Sequence, residues 1–237
     1  MFPWRLGPCL LVSIVVVMVV CTMPARMLAA AACDPGRCGN LTVSPPFGIV
    51  SGSEENRCAQ LGFQVHCTDG VPYLGYYEYQ YRLQILNIFY TNNSLLVSDV
   101  HKLQDFNHSG ERGCHVPTAN TATKIGPPFS ISLLNQNLIF YNCTRKPPGT
   151  ARRAGLVDTV CRNNTFVRAG GRYNASGRID GGYALPGCNA TAVPVLGAAG
   201  KVDASDYQEL ISDGFLLTWR LPHGKLAPGI NHFGLSS

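Results

Sequence analysis

The chain has 237 residues, ten cysteines and a formal net charge of +5, with only 14% of its residues charged. That charge is too weak for nucleic acid, whose recognition needs a concentrated basic face, while 46% hydrophobic residues are ample for a packed core. Ten cysteines also argue against a reducing cytosol.

At the N-terminus, Arg5 precedes an apolar run from Leu10 to Val20. This has the length of a signal-peptide h-region and falls short of the roughly 20 residues of a membrane helix. Thr22, Pro24 and Arg26 interrupt it, and Ala30, Ala31 and Ala32 give the small-residue pattern of a cleavage site before Cys33. Residues 1–32 therefore read as a signal peptide; the competing reading is an uncleaved anchor. Either sends the remainder out of the cytosol, membrane-anchored only in the second case. Taking Arg5 and Arg26 from the nineteen basic residues, against fourteen acidic ones, leaves a net of +3. That charge suits an acidic polysaccharide.

Eight cysteines remain beyond the cleavage point: Cys33, Cys38, Cys58, Cys67, Cys114, Cys143, Cys161 and Cys188. An even set in a secreted chain reads as four disulfides, with the pairing left open. No C-x-x-C pair occurs, so neither a metal nor another cofactor is expected. Seven sequons, at Asn40, Asn92, Asn107, Asn142, Asn163, Asn174 and Asn189, point to the same compartment and mark surfaces that a glycan would occupy. At Asn142 glycosylation competes with bridge formation by the adjacent Cys143.

The hydrophobic period is mostly two, which predicts a mostly β fold with short strands, long loops and at most one or two short helices. Phe63 to Cys67 reads as a strand tied by its cysteine. Tyr79 to Tyr90 places Tyr79, Tyr81, Leu83 and Ile85 on one face and Gln80, Arg82 and Gln84 on the other. Leu95 and Val97, with Asp99 after them, alternate again, which predicts a hairpin with Asn92 and Asn93 at its tip. Leu138 to Cys143 and Gly214 to Trp219 are further strands, the latter with Phe215, Leu217 and Trp219 inward. Pro117 to Pro128, Lys146 to Ala154 and the Gly- and Arg-rich Ala169 to Tyr183 read as loops. Ser205 to Ser212 is the one helix, with Ser205 as N-cap and Gly214 beyond its end. A lobe boundary is placed near Asn107 to Cys114, and the tail 220–237, with Pro222, Gly224, Pro228 and Gly229, reads as disordered.

The order Cys33-x4-Cys38-Gly39-Asn40-Leu41-Thr42-Val43, then Pro45-Pro46-Phe47-Gly48-Ile49, Cys58 and Phe63-x3-Cys67 resembles the galacturonan-binding domain of plant wall-associated receptor kinases. Tyr81-Arg82-Leu83-Gln84-Ile85 and Tyr90 loosely match a strand of that family. Leu138 to Cys143, Cys161, Cys188, Val193-Pro194-Val195 and Gly214 to Trp219 resemble the associated C-terminal domain of leaf-rust-resistance-type receptor kinases. The resemblance implies a small disulfide-stapled two-lobed extracellular unit, 33–107 galacturonan-binding-like and 108–219 C-terminal-like. The family usually continues with further cysteines, whereas Arg220 to Ser237 has none. These 237 residues hold neither a Gly-rich phosphate loop nor an HRD-type loop, and Asp105-Phe106-Asn107 lacks the glycine of a DFG motif.

The resemblance implies a pectic ligand, polygalacturonate or an oligogalacturonide, with a carboxylate on each sugar. Arg and Lys answer the carboxylates, and aromatic rings the apolar sugar faces. The candidate binding residues are Arg57, Arg82, Lys102 and Arg112 with Tyr76 and Tyr77, from a cluster that also holds Tyr73 and Tyr79. Arg145, Lys146, Arg152 and Arg153 form the densest basic run but lie in a loop. No G-x-S-x-G elbow or distinctive carboxylate pair supports catalysis, so the chain is not expected to be an enzyme. The alternative function is a protein-interaction module, a decoy or co-receptor for a receptor-like kinase or another surface protein.

Overall fold

The computed structural model describes residues 33–50, 59–75, 83–107, 113–147, 149, 155–174, 181–197 and 202–221. The signal-peptide reading, the tail beyond 221 and the greater part of the Lys146 to Ala154 loop lie outside them. Described residues from Asp34 onward belong to one compact unit. It is mostly β, as the period of two requires.

A short antiparallel ribbon opens the fold, β1 (Gly36–Cys38) against β2 (Leu41–Val43). Gly39 turns between them at φ +56°, and a Cβ there would stand 2.2 Å from the Gly70 carbonyl oxygen. Only glycine combines that conformation with that approach. The Cys38–Cys67 bridge ties the ribbon to the larger sheet.

That sheet has seven strands in the order β3 (Gly48–Val50), β4 (Gln64–Thr68), β5 (Val71–Leu74), β6 (Leu83–Phe89), β7 (Ser94–Asp99), β13 (Phe215–Trp219), β8 (Phe129–Ile131). Only β3–β4 is parallel. Leu83, Ile85, Leu95, Val97, Phe215, Leu217 and Trp219 face one core, which Phe47 and Phe63 fill. Phe47 meets Phe63 and Trp219 edge-to-face at 5.1 and 5.0 Å between centroids, the geometry favoured by the ring quadrupoles. Phe47 is thus the anchor of its Pro-Pro-Phe-Gly motif. Gly48 opens β3, and a Cβ there would press to 2.8 Å from the Ala59 nitrogen.

The hairpin predicted around Asn92 and Asn93 is present. Tyr90–Asn92 forms a 3-10 turn, and Asn93 takes the left-handed conformation at φ 51° that leads back into β7. A bulge between Ile85 and Asn87 shifts the register, so Ile88 rather than Asn87 continues the buried face.

A smaller antiparallel sheet runs β10 (Val157–Asp158), β11 (Thr165–Arg172), β9 (Gln136–Cys143), β12 (Cys188–Val195). The central β9 is buried on both faces, Leu138 and Phe140 to one side and Ile139, Tyr141 and Cys143 to the other. Ala169 to Arg172, loop-like by their glycines, complete β11 instead. A Cβ on Gly170 would meet Ile139 at 2.6 Å, so close packing against β9 explains that glycine.

Two short helices occur among the described residues, α1 (Val100–Gln104) and α2 (Tyr207–Asp213). The predicted helix is α2, but its approach is capped differently. A 3-10 turn Ala204–Asp206 precedes it, and Asp203, not Ser205, supplies the cap by accepting from the Ser205 backbone N–H at 2.9 Å. Packed against both β7 and β12, α2 joins the sheets, and Ser98 on β7 donates to the Ile211 carbonyl at 3.0 Å. Tyr173, just past β11, buries its ring in the core of the larger sheet. β8 and β13, from beyond the Asn107 to Cys114 segment, join strands from before it in the larger sheet.

The described pairings are Cys38–Cys67, Cys114–Cys161 and Cys143–Cys188. Cys33 is disulfide-bonded as well, and Cys58 lies outside the described residues.

Candidate functional site

The larger sheet keeps one face for its aromatic core and leaves the other partly open. On that outer face strand register aligns His66 with Tyr73, Tyr73 with Gln84, and Gln84 with Ser98. Residues directly opposite in neighbouring strands share a face, so these side chains form one row. His66, Tyr73 and Gln84 are half-buried, whereas Ser98 is buried where it bonds to α2. The row combines an aromatic ring, an imidazole and a carboxamide at strand spacing. Such a set can stack on a sugar face and exchange hydrogen bonds with hydroxyls and carboxylates.

Of the six candidate binding residues, Arg57, Arg82, Arg112, Tyr76 and Tyr77 lie outside the described residues. In sequence four of them flank the row: Arg82 stands two positions before Gln84, Tyr76 and Tyr77 follow Tyr73 within four, and Arg57 lies in the connection from β3 to β4. His66 and Gln84 were not among the candidates. Their signal was the half-exposed alternation of β4 and β6, which sequence alone could not distinguish from ordinary surface.

Lys102 is described, and its position is structural rather than ligand-facing. It is 3% exposed on α1, and its ammonium donates to the Ala119 carbonyl. Burial lowers its pKa, and the nearby Asp99 carboxylate partly offsets this. Asp99, itself buried, accepts from the Lys124 ammonium at 2.9 and 3.1 Å. This buried cluster fastens α1 to the 113–125 segment. His115 adds a second clasp there, its Nε2 3.0 Å from Asp105 and its Nδ1 3.0 Å from the Gly113 carbonyl.

All seven sequon asparagines are exposed. Asn142 and Asn189 are direct register partners on β9 and β12, and Thr165, the last residue of the Asn163 sequon, pairs with Asn142 from the other side. Among the described residues no group of three or more His, Cys, Asp or Glu is placed to hold a metal ion. No helix among them is long and apolar enough to cross a membrane.

Residues 33–99, which contain the ribbon and strands β3 to β7, match the family model of the wall-associated receptor kinase galacturonan-binding domain. The chain resembles a wall-associated-kinase-type ectodomain. Over 195 residues, 79% of the chain, it is 28% identical to a leaf rust 10 disease-resistance locus receptor-like protein kinase-like protein, number 1.2, of Arabidopsis thaliana. It spans 28% of that relative's length. No solved structure matches it significantly. The matched family is a binding domain, and no catalytic domain is evident in the chain. An extracellular location fits both that family and the disulfides.

Proposed function

We propose that the chain binds an acidic pectic polysaccharide, de-esterified polygalacturonate or its oligomers, outside the cell. The match of residues 33–99 to the galacturonan-binding family carries this reading. The row His66, Tyr73 and Gln84 supports it, because it lies on a strand face of the matched segment and is flanked in sequence by Arg57, Arg82, Tyr76 and Tyr77. A charged polymer would be held by arginine pairs to carboxylates and by Tyr73 against the ring faces. Glycans on Asn142, Asn163 and Asn189 would gather at one end of the smaller sheet, and the row His66, Tyr73 and Gln84 carries no sequon of its own.

The test is binding of the secreted, disulfide-paired chain to polygalacturonate and to a neutral glucan across a salt series. Selective binding that weakens with salt supports the proposal. Arg82→Glu is expected to reduce it about tenfold or more, the loss of one charge-assisted contact. Equal binding to both polymers, or none by a folded sample, overturns it.

A second reading, recognition of a receptor-like kinase or other surface protein, has its own support. Leu133 and Leu134 are 62% and 72% exposed between β8 and β9. Buried Asn135 holds this tip out by donating to the Ser132 and Leu216 carbonyls and accepting from the Leu216 N–H, each at 2.8 Å. Adjacent leucines on so firm a turn form an apolar contact point for a protein.

A further inference from the structure

Phe89 is the one exposed phenylalanine among the described residues, at 37%. It ends β6 and stands directly opposite Ser94, the first residue of β7. Between them runs Tyr90-Thr91-Asn92-Asn93, so one hairpin tip holds the aromatic residue, the sequon asparagine and the sequon hydroxyl. The tip is held on its other side by Tyr90, whose phenolic oxygen accepts from the Ser44 N–H at 2.7 Å. Asn93, left-handed at φ 51°, folds the chain back so that Asn92 and Ser94 meet.

The carboxamide of Asn92 has a fixed orientation. Its Oδ1 accepts from the Ser94 hydroxyl at 2.5 Å, which draws the side chain toward the face that Ser94 shares with Phe89. Its Nδ2, the atom a glycan would occupy, has no hydrogen-bond partner among the described residues, and Asn92 is exposed. The other sequons with described partners lack this neighbour: Asn142 faces Asn189 and Thr165.

We infer that Asn92 carries a structural N-glycan whose first N-acetylglucosamine lies on the ring of Phe89 and locks the β6–β7 hairpin. The bond forms from Nδ2 to C1 of the reducing-end sugar of a polyprenyl-diphosphate-linked oligosaccharide. The C1–O bond breaks, the polyprenyl diphosphate leaves with its electron pair, and Nδ2 gives up one proton to base; nothing is oxidised. Folding then brings Phe89 beneath the attached sugar, whose C–H groups meet the negative face of the ring and cover apolar surface left open in the bare chain. The inference shares with the proposed function only the passage through a glycosylating compartment and is independent of polymer binding.

The experiment uses the full chain secreted from plant cells. Glycopeptide mass spectrometry reads occupancy at Asn92, and thermal unfolding compares wild type, Asn92→Gln, Phe89→Ala and the double variant. Asn92 is expected to be occupied, and Asn92→Gln to lower Tm by about 2–4 °C, the shift a contact of this size gives in a chain of this length. Phe89→Ala should cost several degrees in the glycosylated protein and much less on the Asn92→Gln background. An unoccupied Asn92, or strictly additive effects, overturns the inference. Should a variant fail to be secreted, NMR of the wild type decides: N-acetyl protons of the Asn92 sugar shifted upfield by the ring support it, and unshifted ones sink it. Loss of polygalacturonate binding with these results intact would bear on the proposed function alone.

Discussion

The two sheets reach stability by different routes. The larger gathers Phe47, Phe63, Phe129 and Trp219 against one face, a dense aromatic core, and is tied to the opening ribbon by Cys38–Cys67. The smaller has a central strand buried on both faces and a disulfide, Cys143–Cys188, between register partners of β9 and β12. A sheet with one packed face can keep its other for a ligand, whereas a strand covered on both sides has only its ends to offer. Under the proposed function, polymer contact therefore falls on the larger sheet, while the sequons at Asn142, Asn163 and Asn189 cluster on the smaller.

The sharpest way to break this comparison is at Phe47. Phe47→Ala removes the centre of the aromatic core and is expected to cost about 3–5 kcal/mol in chemical denaturation. Because α2 and Tyr173 bind the sheets together, both should unfold in a single transition. A separate, unshifted transition from the smaller sheet would show it to be independent. Replacing Cys143 and Cys188 together by serine opens a loop of 45 residues and should cost about 4 kcal/mol on the chain-entropy account. Polygalacturonate binding should survive at a temperature where the variant is folded, and its loss there would move the site.

Asp99→Asn tests the clasp beside the larger sheet. It removes the stronger of the two carboxylates, Asp99 and Asp105, that offset the burial of Lys102, and it releases Lys124, so a loss of roughly 3 kcal/mol is expected. Lys102→Met should be milder, since it removes the buried charge together with its desolvation cost.

The smallest effect is a pH dependence. Burial pushes the Tyr141 hydroxyl, which donates to the Tyr183 carbonyl at 2.7 Å, up to about 12, and raises Tyr90, Tyr173 and Tyr207 in the same direction. In the unfolded chain tyrosine titrates near about 10. Stability from Tyr141 is therefore complete below that value. It falls as pH rises toward about 12, because the unfolded chain releases a proton that the folded one keeps. Denaturation midpoints across that range should decline less steeply in Tyr141→Phe than in wild type. An identical slope would show that the tyrosines of the larger sheet dominate.

Period-two patterns in Phe63 to Cys67, Leu83 to Ile85, Leu95 to Val97 and Phe215 to Trp219 were legible because each strand buries one face, and alternation survives when half a strand meets solvent. The Asn92–Asn93 turn was legible because asparagine tolerates the left-handed conformation. Ala169 to Arg172 were not, since their glycines signal loop until Ile139 and Asn137 are seen pressing on Gly170. Lys102 was misleading for a related reason. A basic residue near a proposed site looks available until packing places it under Ala119 and beside Asp99.

By itself the sequence determined the β class, the cysteine framework, the family likeness and the positions a glycan could take. These depend on residue type and near neighbours. Tertiary structure decided which cysteines pair, that β8 and β13 cross into the larger sheet, that His66, Tyr73 and Gln84 form a row, and that Phe89 stands opposite Ser94. Each of these joins residues on different strands or segments, and only strand register and core packing fix such a meeting.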